Sequence, residues 1–145
     1  MRRAFTRFTG FTLLELSVVL MVGGLLLALA IPGFAALRDA HAVRAAMTDL
    51  GASFSLARAS AIARRATVAV VFDTVTGVVQ VRSRGESLRR SAFRSSYGVA
   101  VGSNRDSAVY DPRGIGYGLS NLTVTVRRGI FVDTLTMSRL GRVRW

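Results

Sequence analysis

Gly10-Phe11-Thr12-Leu13-Leu14-Glu15 leads into 22 residues, Leu16 to Leu37, that carry no charged side chain. As a helix this run is about 33 Å long, at about 1.5 Å per residue, which matches a hydrocarbon core of about 30 Å. Glu15 stands alone at its edge. A lone carboxylate in that position is costly in lipid and needs a partner. Cleavage after Gly10 would create one, the amine of Phe11.

The stretch before Gly10 is polar and contains Arg2, Arg3 and Arg7. Arginine-rich ends stay in the cytoplasm, so the remainder is expected on the far side of the membrane. A secretory signal peptide has an apolar region of only about 7–15 residues and a small-residue cleavage site after it. Here the run is longer, and the distinctive glycine precedes it. An ordinary signal anchor explains the hydrophobicity and the arginines, but neither Gly10-Phe11 nor Glu15. Pro32, inside the run, removes a helical hydrogen bond and is expected to kink or loosen the helix. Gly23-Gly24 adds a second soft point.

The chain has 145 residues and a formal net charge of +12, enough for one small domain plus a span. All 20 cations are arginines; without the three before Gly10, 17 face 8 acids, a net +9. Such a balance favours nucleic acid, anionic lipid or an acidic protein partner. There is no cysteine, which excludes disulfides, thiolate zinc sites and a cysteine nucleophile. His41 is the only histidine and has no second ligand nearby in sequence, so it reads as an exposed helical residue.

Beyond Leu37 the pattern turns amphipathic. Val43, Met47, Leu50, Phe54, Ala57 and Ala61 recur at spacings of four and three, one face of a helix that continues to about Arg65. Gly51 weakens it modestly. Val68, Val70 and Phe72 then alternate with Thr67, Ala69 and Val71. Asp73 to Gly77 is a turn, and Val78 to Arg82 returns as the second arm of a hairpin. The arginine- and serine-rich segment 83–96 reads as a loop or poorly ordered edge, and Tyr97 to Val101 as a short strand. Asp111-Pro112-Arg113-Gly114 is a turn. No helix follows Gly114, Gly116 and Gly118, which rejects a nucleotide-binding glycine loop. Leu122, Val124 and Val126 mark another strand, Arg128-Gly129 a tight turn, and Ile130 to Met137 a further strand.

The segment Gly10 to Leu16 resembles the class III signal of type IV pilins and type II secretion pseudopilins. That resemblance implies a prepilin peptidase that cuts after Gly10 and methylates Phe11. It also implies that Glu15 pairs with the Phe11 amine of a neighbouring subunit and sets axial register. The globular part resembles the GspH/FimT branch, through the hairpin after the long helix, Tyr110-Asp111-Pro112-Arg113-Gly114, and the ending Gly141-Arg142-Val143-Arg144. The branch implies a minor subunit at or near a fibre tip that helps initiate assembly.

Within the branch, one role is the minor pseudopilin of type II secretion. Another is a minor type IV pilin that binds DNA for natural transformation through a C-terminal glycine-arginine-any-arginine motif, matched here by Gly141, Arg142 and Arg144. A period of two puts Arg142 and Arg144 on one strand face. Arg127, Arg128 and Arg139 are candidates to join them, with Trp145 and Phe131 as stacking platforms for unpaired bases. Secretion members of the branch share a similar arginine ending.

The acids are scattered beside turns or arginines, so no acid–base pair or nucleophile can be assembled. The chain reads as no enzyme, with no cofactor or metal. The expected architecture is α+β: a leader at 1–10, a transmembrane helical half at 11–37, an amphipathic half at 38–65, and a periplasmic antiparallel β-sheet domain at 66–145. The expected location is the bacterial inner membrane, single-pass, with assembly into a pilus or pseudopilus beside other major and minor pilins. Type II secretion is the leading reading, DNA binding the alternative.

Overall fold

A computed structural model describes residues 10–117 and 121–145, leaving aside the side chains of residues 30–32. Most of the expected leader, and the side chain of Pro32, lie outside the described residues. One helix, α1 (Leu13–Arg64), is assigned without interruption. The chain divides into two units, Met1–Leu37 and Arg38–Trp145.

In the first unit the helix starts at a capped end. Thr12 Oγ1 accepts the Glu15 N–H at 3.2 Å, and the Thr12 carbonyl accepts the Leu16 N–H at 3.1 Å. This is the N-cap solution for orphan amides, with an acid in the first turn where the helix dipole favours it. Leucines and valines are exposed on every side of this stretch. It is long and apolar enough to cross a membrane.

In the second unit the helix packs its predicted stripe. Val43, Met47, Leu50, Phe54, Ala57 and Ala61 are all buried, joined by Ala46. His41 is exposed. Arg65, with φ of 47°, ends the helix in the left-handed region, and the Ala66 N–H closes back on the Ala61 carbonyl at 3.2 Å.

The antiparallel strands form two sheets rather than one. The first has order β3-β2-β1-β5-β6, from β1 (Val68–Asp73), β2 (Val78–Ser83), β3 (Glu86–Ala92), β5 (Ser107–Tyr110) and β6 (Gly116–Tyr117). The second has order β4-β7-β8-β9, from β4 (Ala100–Ser103), β7 (Leu122–Arg128), β8 (Phe131–Met137) and β9 (Val143–Arg144). Register explains the core. Val81, Val70 and Ala108 sit side by side across the first sheet, as Leu135 and Val124 do across the second. One hydrophobic cluster joins these residues to the helix stripe.

Segment 83–96 departs from the expected loop. It forms β3, and α2 (Phe93–Tyr97) follows. The strand is an edge with one neighbour, so it needs little apolar surface. Arg89 pairs with Asp49 of α1, and Phe93 plugs the core. Tyr97 ends α2, and the strand expected at 97–101 instead begins at Ala100.

Candidate functional site

In the first unit the expected processing and assembly residues lie within six positions of one another and are accessible. Gly10 and Phe11 precede the helix, and Phe11 is 75% exposed. Glu15 is exposed and makes no ion pair among the described residues. Its carboxylate is thus open to a partner outside this subunit. Thr12 is a site residue that the residue-by-residue reading passed over. The signal was present, since Thr-x-x-Glu ahead of an apolar run is a helix-start signature.

In the second unit, the two motifs of the globular part meet in space. Gly141 is buried with φ of 74°, and a side chain there would stand 2.9 Å from both the Gly114 carbonyl oxygen and Tyr110 Cε1. The Tyr110 hydroxyl donates to the Gly141 carbonyl at 3.4 Å. Burial pushes Tyr110 up to about 12, with the Arg58 charge acting in the opposite direction. Asp111 fixes the facing turn: Oδ1 accepts the N–H groups of Arg113 at 2.9 Å and Ile115 at 2.8 Å. Asx-type bonds of this kind replace backbone partners in turns.

Gly141 thereby seats the β8–β9 hairpin. The Ser138 N–H donates to the Arg142 carbonyl at 2.9 Å, and β9 pairs through Met137–Val143 and Thr136–Arg144. Val143 packs on the core while Arg144 faces out. Arg142 and Arg144 line one open groove of about 560 Å³, with Asn121, Thr123, Thr136 and Ser138 along its walls.

The five arginines do not gather. Arg139 is exposed in the turn beside the groove but is not among its lining residues. Arg127 pairs with Val132, four residues along β8 from the Thr136 that pairs with Arg144. With β8 lying between the two strands, that places it about 16 Å away on the same outer face, about 13 Å along and about 10 Å across. Arg128 departs most, because strand alternation turns it to the other face. There its Nε lies 2.7 Å from Asp39 Oδ1 and its guanidinium donates to the Tyr97 carbonyl. The contact with Asp39 is one of charge, since its geometry is not that of a hydrogen bond; Arg38 Nε stands 3.9 Å from the same oxygen. Arg128 is therefore a structural cation.

The aromatic platforms are also engaged. Phe131 packs against the core. Trp145 lies against Gly51 of α1, although 61% of its surface is exposed. No cluster of potential metal ligands occurs among the described residues.

The family model for the type II transport protein GspH matches residues 46–141. The chain belongs to the GspH family. The match covers most of the head of this GspH-family chain, from the buried stripe of α1 to Gly141, and stops one residue short of Arg142. Among solved structures, the type IV minor pilin FimU of Pseudomonas aeruginosa is similar in two crystal forms. One gives 16% identity and a TM-score of 0.59, covering 70% of this chain and 86% of that one. The other gives 15% identity and a TM-score of 0.58, covering 70% and 90%. A comparison with curated proteins finds no match. The chain shares the pilin fold, and its apolar N-terminal helix, the one helix of span length among the described residues, fits single-pass anchoring in an inner membrane.

Proposed function

We propose that this chain is a minor pseudopilin of a type II secretion system, helping to initiate or cap the periplasmic pseudopilus. The observation that carries the proposal is a GspH-type head following a helix whose apolar side chains are exposed on every side. Such a helix needs lipid, or the helices of sister subunits, around it. Prepilin peptidase cuts after Gly10 and methylates Phe11. Cutting on the N-terminal side leaves the helix in place, so the product stays in the inner membrane until other major and minor pilins take it up. Glu15, at the capped start of α1, then pairs with the Phe11 amine of a neighbour. A buried pair is costly to break from one side, so it selects axial register.

Mass spectrometry of the mature protein tests the processing step: the expected N-terminus is methylated Phe11, and an intact Met1 contradicts it. Glu15→Ala is expected to be processed normally yet excluded from the fibre. Normal incorporation of that variant would remove the register role.

A second reading has its own support in the groove shared by Arg142 and Arg144. In that reading the chain is a minor type IV pilin that binds DNA during transformation. A head fragment from Arg38 tests it, since the whole hydrophobic core lies within that unit. Binding that falls steeply with salt, by about one log unit per log unit of salt for each phosphate contacted, and that is lost in Arg142→Ala/Arg144→Ala supports DNA as a ligand. Weak, salt-insensitive binding unchanged in that variant rejects it.

A further inference from the structure

The two sheets have four edges, and three of them are blunted. Strand β3 carries Glu86, Arg89 and Arg90, and its pairing with β2 is interrupted by a register shift at Val81/Arg82. Among the described residues, strands β6 and β9 have two residues each. Strand β4 differs: Ala100-Val101-Gly102-Ser103 has no charge and no proline, and its register with β7 is regular. Charges, bulges and brevity are the usual protections against strand addition, and β4 has only its modest length.

The ladder shows which groups are open. The Asn104 N–H donates to the Thr123 carbonyl at 3.2 Å. Alternation in an antiparallel pair then makes Gly102–Thr125 and Ala100–Arg127 the hydrogen-bonded pairs. The N–H and C=O groups of Val101 and Ser103 point away from β7, and among the described residues no other strand pairs with β4. On the outer face, Ala100, Val101 and Gly102 border an open trough of about 350 Å³, closed on its other side by Thr125, Arg127 and Val132.

We propose that the open edge of β4 is a strand-addition site for an extended segment of another protein bearing acidic side chains on its outward face. Main-chain bonds to Val101 and Ser103 supply the affinity, as in other cases of β-augmentation. Arg127 supplies the selectivity. It is exposed and makes no ion pair among the described residues. An added strand lies two strand spacings, about 10 Å, from β7. The intervening residue is Ala100, small enough for the Arg127 side chain to reach across. A second copy of this chain fits poorly, because each copy carries a net +12, or +9 without the three arginines before Gly10, and like charges oppose such pairing.

The test uses the full chain in detergent micelles and two synthetic decapeptides, one alternating valine with glutamate and the other valine with lysine. Amide hydrogen exchange is read at Val101 and Ser103. The glutamate peptide is expected to slow both amides about tenfold or more, and the lysine peptide to leave them unchanged. Arg127→Glu is expected to invert that preference. Gly102→Glu is expected to abolish protection by placing a charge like the peptide's own in the trough beside Arg127. Its β-carbon would meet only the Thr125 carbonyl, at 3.9 Å, so the fold accommodates it; if it does not, the Arg127→Glu inversion decides alone. Failure of the glutamate peptide to protect these amides, or equal protection by both peptides, overturns the proposal. Protection that rises with chain concentration without peptide overturns it in favour of a second copy.

Discussion

Trp145 rests on Gly51: a β-carbon at that glycine would stand 2.7 Å from Trp145 Cη2. A glycine inside a helix costs about 1 kcal/mol relative to alanine, and here that cost makes room for the indole. The contact ties the end of the second sheet to the helix beneath it. Gly51→Ala sets a gain in helix propensity against the loss of this contact. Because the ring is exposed and able to swing out, net stability is expected to change by no more than about 1 kcal/mol. The single tryptophan makes the displacement visible. Its emission should shift to longer wavelength in Gly51→Ala, and unchanged emission would show that the ring does not depend on this seat.

Gly141 has no such freedom. A β-carbon there meets a backbone carbonyl and the Tyr110 ring, and the left-handed φ adds strain. Gly141→Ala is expected to destabilise the head by about 2–4 kcal/mol, measured as a lower urea midpoint. Arg142→Ala should leave stability within about 0.5 kcal/mol, since its side chain is exposed.

Alkaline pH should weaken the fold through Tyr110. Its hydroxyl is held neutral in the native state up to about 12, whereas in the unfolded chain it ionises near pH 10. The stability tied to this group is therefore complete below about pH 10 and is lost as pH rises toward 12. Urea unfolding at pH 8, 10 and 11 is expected to show a progressive loss that is smaller in Tyr110→Phe. Equal loss in both proteins would place the alkaline sensitivity elsewhere.

Asp39 and Arg128 join the start of the head's helix to the β7–β8 hairpin, with side chains 26% and 24% exposed. A pair in that range sits between surface and buried cases. A double-mutant cycle with Asp39→Ala and Arg128→Ala is expected to give a coupling of about 1–2 kcal/mol. Arg128→Ala should be the costlier single change, because it also removes the donor to the Tyr97 carbonyl. Zero coupling would remove the pair from the account of stability.

Much of this was legible in the residues because burial repeats with a period. The stripe from Val43 to Ala61 and the alternation of Val68, Val70 and Phe72 each name the residues found inside. Strand β3 was hidden because an edge strand held by Arg89 and Asp49 carries little apolar signal. The arginine site was half legible. Gly141-Arg142-Val143-Arg144 announces a glycine turn and two outward cations. Whether Arg127 and Arg128 join them depends on strand order and face, which local pattern does not encode. The match of Gly51 to Trp145 is likewise a contact across 94 residues that only the fold brings together.

The most direct measurement of the central claim is deletion of the gene, with exoprotein secretion and DNA uptake assayed in the same strain. The account predicts that secretion falls, that the wild-type chain restores it, and that Glu15→Ala does not. Intact secretion together with lost DNA uptake would contradict it and assign the chain to a DNA-binding pilus.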